Sequence, residues 1–177
     1  LEPGEGPLQC ARRELAEETG LKVQRLEQVA TFGAVDRGPR GRVISVVWVA
    51  LVRRPQTPKA GDDAGDAQWH DLDQPPTLAF DHQEVLKTLR DWLAQRARVE
   101  PIVFDLLPER FSFAQMRELQ QTLRRRRLDP AQMRRQLLAR QLVIPAGERR
   151  SEADEPLYCF DTDAWNRVRA DGLEFLL

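Results

Sequence analysis

The first helix of the chain is predicted by the spacing of its apolar residues. Leu8, Ala11 and Leu15 recur at helical intervals, so they share one face and are expected to point to a core. The helix is expected over Pro7–Thr19, because proline fits the first helical position. Gly20 can then end it in a left-handed cap.

Apolar and β-branched runs predict two strands and a long helix in the rest of the first half. Residues 23–32 and 42–52 have strand character, and the second run is so rich in β-branched residues that a central position is expected. Apolar residues at helical spacing then predict an amphipathic helix over 83–98.

Short elements follow one another closely in the last third of the chain. Helices are predicted over 101–107, 113–124 and 130–140. Strands are predicted over 142–145 and 157–160, and these can pair as a ribbon. Three helices followed by a β-ribbon predict a winged helix-turn-helix.

Several of these helices carry a starting signal in the sequence. Ser112, followed three residues later by Gln115, forms a capping box. Asp129 before Pro130 supplies an N-cap and a proline at the first helical position. Asp81 is expected to cap the long helix. Residue type and hydrophobic period therefore predict the same helix starts.

The composition of the 177 residues is that of a globular protein without a membrane segment. Hydrophobic residues make up 41% and charged residues 31%. No apolar run approaches the roughly 18 residues needed to cross a bilayer, and no signal peptide is expected. Cys10 and Cys159 match no metal-binding or redox spacing, so both are expected to be reduced thiols in a cytoplasmic protein.

The formal net charge of -1 conceals a separation of charge in the last third. Residues 117–150 contain ten arginines and three acidic residues, a net charge of +7. Residues 151–177 contain two arginines and seven acidic residues, a net charge of -5. A basic stripe on a helix-turn-helix is the electrostatic signature of binding to double-stranded DNA. The alternatives are a solvated surface or a helical module that contacts another protein.

Three glutamates on the first predicted helix form a candidate metal site. Glu14, Glu17 and Glu18 fall within one third of the helix circumference, where their charges repel. Three carboxylates suit Mg²⁺ or Mn²⁺, which would remove that repulsion. On their own the glutamates fit a solvated acidic face better, in which Arg13 pairs with Glu17.

The complete string around these glutamates resembles the Nudix signature. Glu5, seven intervening residues and the run Arg13–Leu21 match every fixed position that the chain offers. The resemblance implies that the three glutamates bind metal, that they are catalytic if the domain is active, and that Arg13 orients a glutamate. It also implies an α/β fold, the Nudix α/β/α sandwich, whose last strand fits residues 67–72 with Trp69 in the core. The strands before the signature are expected to be missing from the chain.

An arginine-rich turn lies between the first two predicted strands. Residues 36–42 contain Arg37, Arg40 and Arg42 together with glycine and proline. The stretch resembles the linker before the central strand in Nudix proteins that handle ADP-ribose, which implies that the three arginines bind the phosphates of that ligand. Exposure of all three to water is an equally good interpretation.

The order of the two halves resembles the Nudix-related transcriptional regulators of NAD metabolism. The junction Leu78–His82, the long helix, the segment Phe104–Ser112 and the winged helix follow one another as in that family. The resemblance covers nearly the whole chain. It implies a Nudix domain over 1–77, a junction and linker helix over 78–98, and an α+β winged helix-turn-helix domain over 99–177.

The pattern of that family implies a homodimeric repressor of genes for NAD biosynthesis or salvage. Such a repressor binds operator DNA and releases it when ADP-ribose, acting as an effector, occupies the Nudix pocket. Residues 130–140 would form the recognition helix. The implied DNA-binding residues are arginines of the helix-turn-helix and the wing: Arg125, Arg126, Arg127, Arg134, Arg135, Arg149 and Arg150.

Two features depart from a simple repressor. Glu152, Asp154 and Glu155 follow the last arginine pair, whereas wings in this family are usually basic throughout. The glutamates of the signature are intact, although a sensor has no need of catalysis. The alternative function is therefore a Mg²⁺-dependent ADP-ribose pyrophosphatase with an accessory domain.

Overall fold

The computed structural model describes residues 2–23, 25–35, 37, 41, 43–53, 57–58, 67–147 and 155–175. In chain order its elements are α1 (Pro7–Thr19), β1 (Glu27–Phe32), β2 (Ser45–Val49), α2 (His82–Val99), α3 (Val103–Leu106), α4 (Phe113–Arg124), α5 (Pro130–Ala139), β3 (Val143–Pro145), β4 (Tyr158–Phe160) and α6 (Thr162–Ala170). The chain divides into two compact units, Leu1–Leu89 and Arg90–Leu177, and the division falls inside α2.

Helix α1 begins and ends where the sequence predicts. Pro7 is its first residue. Gly20 adopts a φ of 68°, and its N–H donates to the carbonyl of Ala16, which ends the helix in a left-handed cap. The predicted core face is wrong at Leu8, which is exposed, whereas Cys10 is buried. Since two residues turn a helix by about 200°, these two side chains lie on nearly opposite faces.

The first unit contains a two-stranded antiparallel sheet. Strand β1 pairs with β2, with Phe32 opposite Ser45, and the register shifts between Gln28 and Ala30. Both strands lie inside the predicted runs and are shorter than predicted. The sheet therefore confirms the position of both strands.

The third predicted strand is absent from the described part of the first unit. Residues 67–72 have no strand conformation, and Trp69 is 52% exposed instead of lying in a core. A strand needs a neighbour whose backbone N–H and C=O groups face its own. In the described residues of this unit only β1 and β2 pair, so this prediction and the core position of Trp69 were wrong.

Helix α2 is one residue longer at each end than predicted. Its fully buried side chains, Leu93 and Ala97, lie four residues apart on one face. Nε2 of the buried Gln120 donates to the carbonyl oxygen of Ala97 at 2.7 Å, which ties the last turns of α2 to α4. The C-terminal part of α2 is thus built into the second unit.

The helices α4 and α5 begin at the predicted caps. Before α4, Oγ of Ser112 accepts from the N–H of Gln115 at 3.2 Å, and Oε1 of Gln115 accepts from the N–H of Ser112 at 2.9 Å. Before α5, Oδ1 of Asp129 accepts from the N–H groups of Ala131 and Gln132 at 2.8 and 3.2 Å. Both predicted starts are confirmed.

Replacing the cap of α5 should cost a measurable part of its stability. Asp129→Ala removes the acceptor of two backbone donors, so we expect the free energy of unfolding to fall by about 1 kcal/mol. Urea unfolding followed by circular dichroism measures this loss. The control Asp129→Asn keeps an acceptor and should lose much less; equal losses in the two variants would argue against the capping role.

The ribbon of the second unit is formed by β3 and β4. The strands are antiparallel, with Val143 opposite Phe160. Phe111 and Tyr158 exchange backbone hydrogen bonds of 3.0 and 2.8 Å, which add a bridge to β4. Three helices and this ribbon form the predicted winged helix.

Helix α6 is an element that the sequence analysis did not predict. The side chain of Asp161 caps it by accepting from the N–H of Ala164 at 2.8 Å. Ala164 is also the fully buried residue of this helix. The aspartate before α6 is the same starting signal that identified α5.

An aromatic cluster fills the core of the second unit. Phe104 stacks on Phe160 with ring centroids 4.0 Å apart and contacts Phe111 and Phe175 at 5.3 and 5.9 Å. The side chain of Phe104 is 5% exposed. The cluster therefore joins α3, β4 and the C-terminal segment. Within the described ranges no helix combines the length and apolar character needed to cross a membrane.

Candidate functional site

Arg13 holds two glutamates, Glu5 and Glu17, by hydrogen bonds at the start of the first unit, and it also forms a longer ion pair with Glu14, with 3.5 Å between Nη2 and Oε1. Its Nε and Nη2 donate to the two carboxylate oxygens of Glu5 at 2.9 and 3.0 Å. Its Nη1 donates to Oε2 of Glu17 at 2.8 Å. Hydrogen bonding from the Arg13 guanidinium lowers the pKa of Glu5 to about 2. Arg13 therefore holds both carboxylates in place on one side of α1.

Acid should weaken this arrangement in a defined range of pH. The pKa of Glu5 in the folded chain, about 2, lies below the ordinary value of 4.5, so the stabilisation is complete above pH 4.5 and is lost as the pH falls towards 2. We expect the thermal midpoint to fall more steeply over that range in the parent chain than in Glu5→Gln. Circular dichroism melts measure both slopes. The control is Glu118→Gln, which replaces an exposed glutamate of α4 and should keep the slope of the parent. A parent-like slope in Glu5→Gln would contradict the stabilising role of the Glu5 carboxylate.

The three glutamates of the signature do not converge. The Glu14 carboxylate accepts from Sγ of Cys10 at 3.2 Å and raises the pKa of that thiol. Glu17 pairs with Arg13, and Glu18 lines a cavity. Among the described residues, no three histidine, cysteine, aspartate or glutamate side chains are gathered as a metal ion requires. This arrangement does not fit a metal, and binding of Mg²⁺ or Mn²⁺ stays a prediction.

A cavity of about 580 Å³ is lined by residues of α1, β2 and the segment before α2. Two indole rings, those of Trp48 and Trp69, contribute to its walls. Polar groups come from Glu18, Thr19 and His70. Its volume is within the roughly 300–1,000 Å³ of small-molecule pockets, and aromatic walls with a few polar groups suit a ligand that carries a planar ring.

Arg37 fastens the turn between the strands to the start of α2. Its guanidinium forms a bidentate ion pair with Asp81, the residue before α2, and donates to Oγ of Ser45. Its Cζ lies 5.6 Å from the ring centroid of Phe32, and its side chain is 10% exposed. The guanidinium lowers the pKa of Asp81 by hydrogen bonding. Asp81 was predicted as a cap, and its carboxylate serves this ion pair.

The predicted phosphate-binding arginines are therefore not brought together by the described residues. Arg37 is directed to Asp81 and does not line the cavity. Arg40 and Arg42 lie outside the described residues. A contact between these arginines and a phosphate stays a prediction.

The arginines predicted to bind DNA lie on the surface of the second unit. Five of them are exposed: Arg125, Arg126, Arg127, Arg134 and Arg135. The first three form the turn between α4 and α5, and the other two lie on α5. Arg149 and Arg150 lie outside the described residues. The helix-turn-helix thus presents cations along one continuous part of the chain.

Positive charge accumulates where α4 ends. Burial lowers the pKa of Arg124, and repulsion from Arg126 and Arg98 lowers it further. Nη1 of Arg124 has no hydrogen-bond partner among the described residues. The end of α4 therefore places the cations of Arg124, Arg126 and Arg98 close enough to repel one another, next to the exposed turn.

Sequence reasoning missed several contacts of these sites. It did not single out Trp48 as a wall of the cavity or Tyr158 as a partner of an arginine. A tryptophan inside the β-branched run was the available signal for the first. The second depends on the pairing of the ribbon, and no local pattern shows it.

Both units match known domain families. Residues 1–93 match the model of the NUDIX domain, and residues 103–160 match that of the NrtR DNA-binding winged helix domain. The fold and the sites thus define a protein with a cavity in one unit and a winged helix in the other. The chain belongs to the NUDIX domain family, and its second unit is a winged helix domain of the NrtR type.

Two curated relatives cover different parts of the chain. The ADP-ribose pyrophosphatase of Methanocaldococcus jannaschii is 40% identical over 92 residues, which are 52% of this chain and 54% of that protein. The ADPR responsive transcriptional repressor NtrR of Acinetobacter baylyi is 27% identical over 164 residues, which are 90% of this chain and 66% of that protein. The chain therefore spans only part of the length of each.

Solved structures share the architecture. Shewanella oneidensis NrtR matches with a TM-score of 0.73 at 27% identity, covering 93% of this chain and 78% of that chain. Its complex with a 27mer DNA matches with a TM-score of 0.74 at 27% identity, covering 99% and 80%. A MutT/nudix family protein from Enterococcus faecalis has the same fold, with a TM-score of 0.73 at 24% identity over 91% and 71% of the two chains. The predicted Nudix fold followed by a winged helix is confirmed.

Proposed function

We propose that the chain is a transcriptional repressor. Its second unit binds operator DNA, and ADP-ribose or a related nucleotide in the first unit releases it. The observation that carries the proposal is the presence in one chain of a NUDIX domain and a winged helix domain. Helix α5 of the winged helix domain exposes Arg134 and Arg135. The names of two relatives support it, the ADPR responsive repressor of Acinetobacter baylyi and the DNA complex of Shewanella oneidensis NrtR.

The DNA-binding form is proposed to be a homodimer in the cytoplasm. Helix-turn-helix dimers place two recognition helices at half-sites about 34–36 Å apart on one side of the duplex, so a second copy supplies the other half-site. The exposed arginines of each copy would neutralise phosphates and position α5 in the major groove. The proposed targets are genes of NAD biosynthesis or salvage.

The effector is proposed to occupy the cavity of the first unit. Trp48 and Trp69 offer indole faces on which an adenine ring stacks. Glu18, Thr19 and His70 offer polar groups for ribose hydroxyls. ADP-ribose combines a planar base with ribose hydroxyls, so the lining of the cavity suits it.

A gel-shift titration tests both halves of the proposal. The chain is incubated with a labelled duplex from the promoter region of its own gene, and ADP-ribose is then added. We expect a complex that ADP-ribose dissolves, because binding of the nucleotide favours the state with low affinity for DNA. A complex that persists at saturating ADP-ribose would exclude this effector.

Two exposed aromatic residues of the first unit provide a matched pair of variants. Trp69→Ala removes a wall of the cavity, so its DNA complex should need more ADP-ribose to dissolve. Phe80→Ala removes a ring that is 77% exposed and does not line the cavity, so it should respond like the parent. If both variants respond to ADP-ribose equally, the cavity is not the site of the effector.

Hydrolysis of ADP-ribose is a second candidate function. Two observations favour it, the intact signature with its Arg13–Glu5 ion pair and the 40% identity to a pyrophosphatase over 92 residues. Release of AMP from ADP-ribose in the presence of Mg²⁺ would be measured in the parent and in Glu18→Gln. Turnover that disappears in the variant would establish the activity, and no turnover in the parent would eliminate it.

A further inference from the structure

Side chains from three elements of the second unit meet at the guanidinium of Arg134. Its Nη2 donates to Oη of Tyr158 at 3.3 Å, and its Cζ lies 5.2 Å from the ring centroid of Phe113. The two aromatic rings are themselves in contact, with centroids 4.5 Å apart. Helix α5, strand β4 and the first residue of α4 therefore converge on one cation.

The two aromatic partners are held by the fold. Tyr158 is 6% exposed, and its backbone exchanges two hydrogen bonds with Phe111. Phe113 directly follows Ser112, the capping residue of α4. Arg134, in contrast, is exposed. A fixed aromatic frame thus holds a cation that solvent, and hence a ligand, can reach.

Among the described residues, most of the hydrogen-bond donors of Arg134 have no partner. A guanidinium has five N–H donors, and the hydroxyl of Tyr158 takes one of them. Contact with the face of Phe113 takes none. The remaining donors suffice for two parallel hydrogen bonds to a phosphate or to the O6/N7 edge of guanine.

The neighbouring arginine offers a contrast. Arg135 is exposed, and no hydrogen bond or ion pair joins its side chain to a described residue. Binding must restrict such a side chain, which costs conformational entropy. A side chain that is held in advance loses less, so Arg134 should bind its target with a smaller entropic penalty than Arg135.

We propose that Phe113 and Tyr158 are positioning residues that hold Arg134 ready for a bidentate contact with double-stranded DNA. The inference rests on the proposed function and deepens it, because it gives a role to two residues outside the arginine set. Its competitor is a bracing role, in which Arg134 only joins β4 to α4. The bracing role predicts that replacing a partner of Arg134 lowers the stability of the chain and does not weaken DNA binding through Arg134.

A double-mutant cycle on the full chain separates these roles. Tyr158→Phe removes the hydroxyl and keeps the ring. We expect it to weaken binding to a fluorescent promoter duplex about twofold to tenfold, the effect of one hydrogen bond. In an Arg134→Ala background the same change should have no further effect, whereas in an Arg135→Ala background it should keep its full effect.

A second duplex of shuffled sequence identifies what Arg134 contacts. An equal loss on both duplexes indicates a phosphate, and a loss confined to the promoter duplex indicates a base edge; both support the inference. Unchanged affinity in Tyr158→Phe, or an equal loss with and without Arg134, overturns it while DNA binding by the parent stands. If the parent binds neither duplex, the proposed function is wrong, and the inference that rests on it is wrong as well.

A second variant guards against a simple effect on folding. Phe113→Leu keeps an apolar residue at the start of α4 and removes the aromatic face. It should reproduce both the weakening and its dependence on Arg134. Thermal midpoints of all variants are measured in parallel, and a loss of affinity that only follows the midpoint, regardless of residue 134, counts as bracing and overturns the inference.

Discussion

Replacing Phe104 by alanine should lower the free energy of unfolding of the second unit by about 3–5 kcal/mol. The ring stacks on Phe160 and contacts Phe111 and Phe175, and it is 5% exposed, so its removal leaves a cavity among aromatic side chains. A domain is typically stable by only about 5–15 kcal/mol, so this variant should lose a large part of the stability of the second unit.

Urea unfolding followed by circular dichroism measures this loss. Phe80→Ala is the control, because that ring is 77% exposed and its removal should change the stability by less than about 0.5 kcal/mol. Phe104→Leu should recover part of the loss by filling some of the space. A loss below about 1 kcal/mol in Phe104→Ala would mean that the aromatic cluster does not hold the second unit together.

Neutralising the turn between α4 and α5 should have the largest effect on DNA binding. Arg125, Arg126 and Arg127 are exposed, and each can release one counterion from a phosphate. Replacing all three by glutamine should therefore lower the slope of log affinity against log salt by up to about 3, with a loss of affinity of roughly one to two orders of magnitude at low salt.

Fluorescence anisotropy over a series of salt concentrations measures the slope. The matched control is the pair Arg167→Gln and Arg169→Gln on α6, which removes exposed cations outside the helix-turn-helix. This control should leave the slope nearly unchanged. The same reduction per charge in both variants would mean that net charge alone, and no defined surface, governs binding.

The sequence predicts those parts of the fold that are determined by contacts between residues close together in the chain. Gly20, Ser112 and Asp129 each bind backbone groups within four residues, so the ends of three helices are visible in a short stretch of sequence. The position of Trp69 was predicted wrongly because a strand forms only where a neighbouring strand offers a pairing edge.

The sequence predicts the contacts within the candidate sites less well than it predicts the ends of the helices. Arg37 was predicted to meet phosphates, but its partner Asp81 lies 44 residues away in sequence. Metal binding by the glutamates of the signature stays a prediction, and the sequence did not show that Cys10 donates to Glu14 or that Arg13 pairs with both Glu14 and Glu17. Residue types and their spacing identify the family, whereas the pairing of individual charges depends on the assembled fold.

The hydrogen bond between Gln120 and Ala97 determines which residues must accompany the winged helix domain when it is transferred to another protein. A fragment that starts at residue 103, where the family match begins, would lose Leu93 and Ala97 and leave the buried amide of Gln120 without its acceptor. An autonomous, portable version of the domain therefore has to start at Arg90 or earlier. Gene fusions and chimaeric regulators built on this domain should keep the end of α2 as part of the transferred module.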